Sequence, residues 1–191
     1  RLEALTRGGL PFRGPGRSYW ATFAIREWEV YRKWPGEEEW TRVDLQEAWA
    51  DFNPPVSGLK DYFHHKTKDP DKERRIGPAK FLADGDDKTA WSPDRGPIVR
   101  HTESVASIQF KEPLAMPEGS EIRVRLIQNH GGSSNGRDNQ QLGRLRFSLT
   151  DSTNLEVPSH GHAVTLALQK AEKDRSGEDS TTLFRAWRKS T

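Results

Sequence analysis

Phe81-Leu82-Ala83-Asp84-Gly85-Asp86-Asp87-Lys88-Thr89-Ala90-Trp91 is the stretch on which the reading of this chain turns. A short apolar run leads into Asp-Gly, a tight-turn signal, because Gly accepts a positive φ and Asp can bond its own turn amides. Three carboxylates and a hydroxyl follow within six residues. Such groups repel one another unless a positive charge sits among them, and a hard cation with oxygen ligands, Ca²⁺, meets that need. The candidate metal ligands are therefore Asp84, Asp86, Asp87 and Thr89, with Trp91 packed over the turn. The competing reading is a solvated acidic loop that ends on a core Trp.

Downstream, three segments alternate with period two. Residues 104–111 place Ala106, Ile108 and Phe110 on one face. Residues 121–128 place Ile122, Val124 and Leu126 opposite Arg123 and Arg125. Residues 142–150 place Leu145, Phe147 and Leu149 inward, with Arg144, Arg146 and Ser148 outward. One buried and one wet face imply antiparallel sheets. The polar, Gly-rich run 129–141 lies between the last two as a loop.

Upstream, residues 1–5 read as a strand cut from a longer chain, and 6–18 as turns around Gly14-Pro15-Gly16-Arg17. Residues 19–31 are rich in aromatic and β-branched side chains and read as one long strand. The parity of Phe23 and Ile25 against Trp28 and Val30 predicts a bulge near Arg26. Residues 34–40 form a loop whose acids are solvated; 40–45 and 48–52 are brief strands. Residues 56–80 form a long, polar, patternless insertion, of the kind that is functional or mobile. Its His64 and His65 point opposite ways on an extended chain and do not share a metal. Beyond residue 158 the pattern turns helical, over 164–171 and again after Ser176-Gly177-Glu178-Asp179, a capping-box-like start. The second helix carries Leu183, Phe184 and Trp187. The expected division is 1–157 as a β domain and 158–191 as a helical tail leading to a neighbouring domain.

Composition bounds the function. With 30 basic and 28 acidic residues the net charge is only +2, so no global field points to nucleic acid. A mean hydropathy of −0.90 is low for a globular chain, and seven Trp and eight Phe compensate in part. The absence of Cys excludes disulfides, thiolate metal sites and c-type haem attachment within this segment. No apolar run has the length of a membrane span.

Short strands, turn-rich links and the Asp84-Gly85…Thr89-x-Trp91 turn together resemble the discoidin, or coagulation-factor C-type, galactose-binding-like fold, in which such a turn commonly holds a structural Ca²⁺. A closer resemblance spans nearly the whole chain. Arg1–Leu5, Gly14-Pro15-Gly16-Arg17, 23–30 and Ala48-Trp49-Ala50-Asp51-Phe52 precede the turn; Leu142-Gly143-Arg144 and two helices follow it. In this the chain resembles the discoidin-like domain embedded in large planctomycete-type cytochrome c proteins. The resemblance implies an all-β antiparallel sandwich of jelly-roll type with a short helical appendage. It also implies an exported multidomain parent, periplasmic or at the cell surface, with its haem elsewhere and a biology tied to polysaccharides. Gln140 stands where that family usually has His, and the 56–80 insertion is unusually long.

The expected function is a non-catalytic carbohydrate-binding module, whose partners are poly- or oligosaccharide and the neighbouring domains of the parent. Sugars are held by an aromatic face, with polar groups fixing the hydroxyls. The candidate ligand-binding residues are Arg100, His101, His130, Asn129, Arg137, Trp20 and Trp34, while Trp28, Trp49 and Trp91 are expected in the core. The alternative is a structural or docking module without a glycan ligand. Neither opposed carboxylates nor a nucleophile beside a base is spaced for catalysis. Arg123, Arg125, Arg144 and Arg146 make a nucleic-acid-binding stripe only if their strands are neighbours.

Overall fold

The computed structural model describes residues 1–58, 74–97, 99–130, 140–151 and 162–190. The chain is mostly β. Its strands are β1 (Leu2–Ala4), β2 (Glu27–Lys33), β3 (Thr41–Arg42), β4 (Leu45–Ala50), β5 (Ser57–Gly58), β6 (Arg75–Gly77), β7 (Thr89–Trp91), β8 (Ser104–Phe110), β9 (Glu121–Ile127) and β10 (Leu145–Phe147). Two helices, α1 (His162–Gln169) and α2 (Gly177–Ser190), close the chain, and neither is long and apolar enough to cross a membrane.

The strands form three sheets, ordered β10-β1-β8-β4, β3-β2-β9 and β5-β6-β7. All pairings are antiparallel except β6 with β7. Alternation decides which faces meet. Leu2, Ala4 and Ala106 from the first sheet and Trp28 and Val30 from the second are buried in one cluster. Ile108, Phe110, Ile122, Val124 and Leu126 pack against it. β9 thus delivers the alternation its sequence promises, with Arg123 and Arg125 exposed.

Several expectations need correction. The strand expected over 19–31 begins only at Glu27, and residues 19–24 form a turn and an extended link. The parity slip is real: the Arg26 amide donates to the Ile127 carbonyl, and Ile127 is also the register partner of Glu27. Two consecutive residues therefore face one, as in a bulge. The insertion is less patternless than it reads, because Arg75–Gly77 is a strand and Ala79–Leu82 a 3₁₀ turn that buries Phe81 and Leu82. His64 and His65 lie outside the described residues. Trp49 is only half-buried, since Ala48 and Ala50 take the inward face of β4. Glu37 is not simply solvated: it accepts from Arg32 at 2.9 Å and from the Trp34 amide at 2.9 Å.

β10 departs most from expectation. Leu145 and Phe147 share a sheet face with the buried Ala4 and Leu2, and Phe147 touches Trp28 with ring centroids 5.7 Å apart. Yet Leu145 is 38%, Phe147 39% and Leu149 69% exposed. The parity is right, but β10 is an edge strand, so the facing layer covers it only in part. β9 and β10 also belong to different sheets, so the arginine rows do not form one stripe. Arg123 instead stacks 3.9 Å from the Trp40 ring, Arg125 pairs with Glu29, and Arg146 pairs with the buried Glu3.

The helical tail forms as a hairpin. The Ser176 amide donates to Asp179 at 2.7 Å and the Asp179 amide to the Ser176 hydroxyl at 3.1 Å, a reciprocal cap. α1 and α2 pack on each other, while Phe184 and Trp187 stay exposed with their rings 5.8 Å apart.

Candidate functional site

The acidic turn closes on itself. Gly85 adopts φ 71°, where a side chain would be strained. Asp84 accepts the Asp86 amide at 3.0 Å through one oxygen and the Thr89 hydroxyl at 2.8 Å through the other. Asp86 accepts the Lys88 amide at 2.9 Å and faces the Arg75 guanidinium at 3.4 Å. Asp84, Asp86 and Thr89 are thus brought together, while Asp87 is exposed. Among the described residues no three carboxylate or imidazole groups converge as a metal shell does. The charge the sequence assigns to calcium is met here by backbone amides, a hydroxyl and Arg75.

The second tight turn, Ser18 to Thr22, is built the other way round. The Ser18 hydroxyl lies 2.8 Å from the Thr22 hydroxyl and accepts the Thr22 amide at 2.9 Å. Thr22 in turn donates to the Gln140 carbonyl oxygen at 3.2 Å. All three polar residues are buried. Such a network fixes one geometry where its members are paired, and its cost here is the Gln140 side-chain nitrogen, which is buried without a partner among the described residues. Preceding it, Gly14-Pro15-Gly16-Arg17 pairs with 141–143: the Arg17 amide donates to Gln141, the Gly143 amide to Pro15, and Gly16 bridges Leu142. A Cβ on Gly16 would stand 2.0 Å from the Thr22 carbonyl oxygen, so only glycine allows this approach. The two motifs quoted far apart in the sequence are one structural joint.

That joint holds Tyr19 and Trp20 at the turn's tip, facing out. Their rings meet edge-on with centroids 4.9 Å apart, and Phe12 meets Tyr19 edge-on at 6.0 Å. Phe12 is 62%, Tyr19 52% and Trp20 36% exposed. Arg100 lies 5.8 Å from the Trp20 ring and is held by Asp94 at 3.2 Å. His101 is exposed beside the joint, its Cα 3.2 Å from where a Cβ on Gly14 would stand. The crevice beneath, lined by Pro15, Phe23, Pro93, Asp94 and Arg100, has no room for a water molecule. The three positive-φ residues other than glycine, among those described, are Phe12 (48°), Arg13 (58°) and Ala21 (63°). All three flank the aromatic face.

Of the expected ligand residues, Trp20, Arg100 and His101 come together. Trp34 does not: it follows the far end of β2, half-buried, with Arg32 3.4 Å above its ring and its indole N–H donating to Ala115 at 3.2 Å. His130 is only 1% exposed, with its Nε2 2.9 Å from the Arg75 carbonyl and its own carbonyl accepting from Arg74. It joins the end of β9 to β6 rather than facing a ligand. Asn129 beside it is exposed, and Arg137 lies outside the described residues.

Two residues escaped the sequence reading as members of a site. Phe12 could have been found from its flanks of Pro and Gly, which cannot bury a ring. Glu27, buried at the start of β2, gives no sequence signal. Burial pushes its carboxyl up, and the Asp84 charge adds to this, while the Gly85 amide and Arg42 oppose. An open polar depression of about 440 Å³ lies against Glu27, Arg42, Asp44 and Lys111, but no ring lines it. No family model matches the chain, and neither a curated protein nor a solved structure does so.

Proposed function

We propose that this chain is a non-catalytic carbohydrate-binding module of a larger exported protein, of the discoidin-like, jelly-roll sandwich class it resembles. Poly- or oligosaccharide lies against the face made by Phe12, Tyr19 and Trp20. The observation that carries the reading is three exposed rings on a loop with three left-handed non-glycine residues. Each such backbone conformation costs about 1–3 kcal/mol and persists only where surrounding structure enforces it. Rigid rings pre-placed in this way suit the apolar face of a pyranose, and the exposed His101 stands beside them for hydroxyls, while the largely buried Arg100–Asp94 pair braces the turn from beneath. Calcium carries no part of the reading, because Asp84, Asp86 and Thr89 are already engaged by backbone amides, by one another and by Arg75. Melting with and without chelator tests it: a resident ion gives a shift of several degrees, the closed turn none.

The test of the main reading is binding of the whole chain to a glycan panel, followed by Trp20→Ala and Tyr19→Ala. A saturable hit weakened about tenfold by either substitution, with melting unchanged, is the expected result. Silence across the panel from a folded chain rejects it. The exposed Phe184–Trp187 pair favours a second reading, a docking module that packs on neighbouring domains of the parent.

A further inference from the structure

We infer that the ligand of the aromatic face is an anionic glycan, one carrying carboxylate or sulfate groups; the inference rests on the carbohydrate reading above. Between Arg7 and Arg26 the chain holds four arginines and no acidic residue, although the whole chain is nearly neutral. Arg7, Arg13 and Arg17 are exposed and belong to the same loop as the rings. Arg13 follows Phe12 directly, and Arg17 is separated from Tyr19 only by the buried Ser18. Among the described residues these three guanidinium groups form no ion pair, in contrast to Arg1, Arg32, Arg42, Arg75, Arg95, Arg100, Arg125 and Arg146.

Asp94 is taken by Arg100, and Glu103, which accepts from the neutral Thr6 hydroxyl at 3.4 Å, forms no ion pair with Arg7, Arg13 or Arg17 among the described residues. The loop therefore sets a stacking surface among unspent planar cations, and a guanidinium matches a carboxylate or sulfate by forked hydrogen bonds. A neutral sugar would use the rings and leave the charge idle. A uronate or sulfated sugar uses both.

The experiment compares the intact chain on polygalacturonate and heparin with neutral galactan and dextran, each at about 50 and 200 mM salt. Expected is preference for the anionic pair, an affinity that falls with salt, and a fivefold to twentyfold loss in Arg13→Gln/Arg17→Gln, two exposed pairs at roughly twofold to fivefold each. The Arg13→Lys/Arg17→Lys variant should recover part of the loss, because charge remains while the fork is gone. Equal, salt-insensitive binding of neutral and anionic glycans overturns this inference and leaves the carbohydrate reading standing. Binding to neither anionic polymer overturns this inference, and silence that extends across the whole glycan panel overturns the carbohydrate reading with it. Single-stranded DNA or phosphatidylserine vesicles bound as tightly as heparin, with the same sensitivity to the glutamine variant, overturn it in favour of an unselective polyanion surface.

Discussion

The turns at Ser18–Thr22 and Asp84–Thr89 use the same device with opposite faces. In each, a side-chain oxygen at the start meets a threonine hydroxyl at the end, at 2.8 Å in both. The acidic turn keeps its carboxylates toward the surface, buries only the Thr89 hydroxyl, and sends Leu82, Ala90 and Trp91 inward. The Ser18 turn buries its hydroxyls and shows its rings to water. Nothing about stability asks for that inversion, since burying Tyr19 and Trp20 and exposing the hydroxyls would serve stability better. An arrangement that stability disfavours is where a ligand is to be sought.

The comparison breaks first at its two tryptophans. Trp91 is fully buried against Phe23, ring centroids 5.4 Å apart, so Trp91→Ala removes a core side chain. It is expected to cost about 3–5 kcal/mol in denaturant unfolding. Trp20→Ala is expected to stay within about 0.5 kcal/mol of the parent, because its ring serves the surface. A large loss from Trp20→Ala would make the exposed face a stability element after all. Ser18→Ala comes next. It leaves the Thr22 amide and hydroxyl short of a partner in a dry site, for which about 1–3 kcal/mol is expected. It should also loosen the tip, so that glycan binding weakens although no ligand contact has been removed.

Much of this was legible from residue pattern. Period-two alternation located β8 and β9 and named their inward faces, and the Asp-Gly signal located the acidic turn. Edge position was not legible: Leu145 and Phe147 have the right parity, but their cover depends on how far the opposite sheet extends, which no local pattern encodes. The strand expected from residue 19 failed for a related reason. Tyr19, Trp20 and Phe23 have high β-propensity, but the hydrogen bonds of Thr22 and Ala24 with Gln140 come from more than a hundred residues away and override it. Arg100 and His101 were chosen because they lie in a link between strands, and they stand beside the aromatic turn, while His130, chosen on the same ground, is taken by the Arg75 carbonyl of a distant strand.

The smallest expected effect lies beside the acidic turn, at Glu27. Burial, and then the charge of Asp84, raise its carboxyl pKa above the ordinary 4.5, and the Gly85 amide and Arg42 only partly oppose them. A group whose folded pKa is raised contributes most below its unfolded pKa and loses that contribution as pH rises through the folded value. At neutral pH the ionised Glu27 is therefore a cost, and Glu27→Gln, which keeps an acceptor for Gly85, is expected to melt higher than the parent at about pH 7. The gain should vanish at about pH 3, where the parent carboxyl is protonated as well. Asp84→Asn sharpens the point. It removes the second cause of the shift, so the titration of Glu27 followed by carbon NMR should move down toward its ordinary value. A titration unmoved by Asp84→Asn would mean that burial alone sets the shift, and that the acidic turn's charge is spent on its own amides and on Arg75.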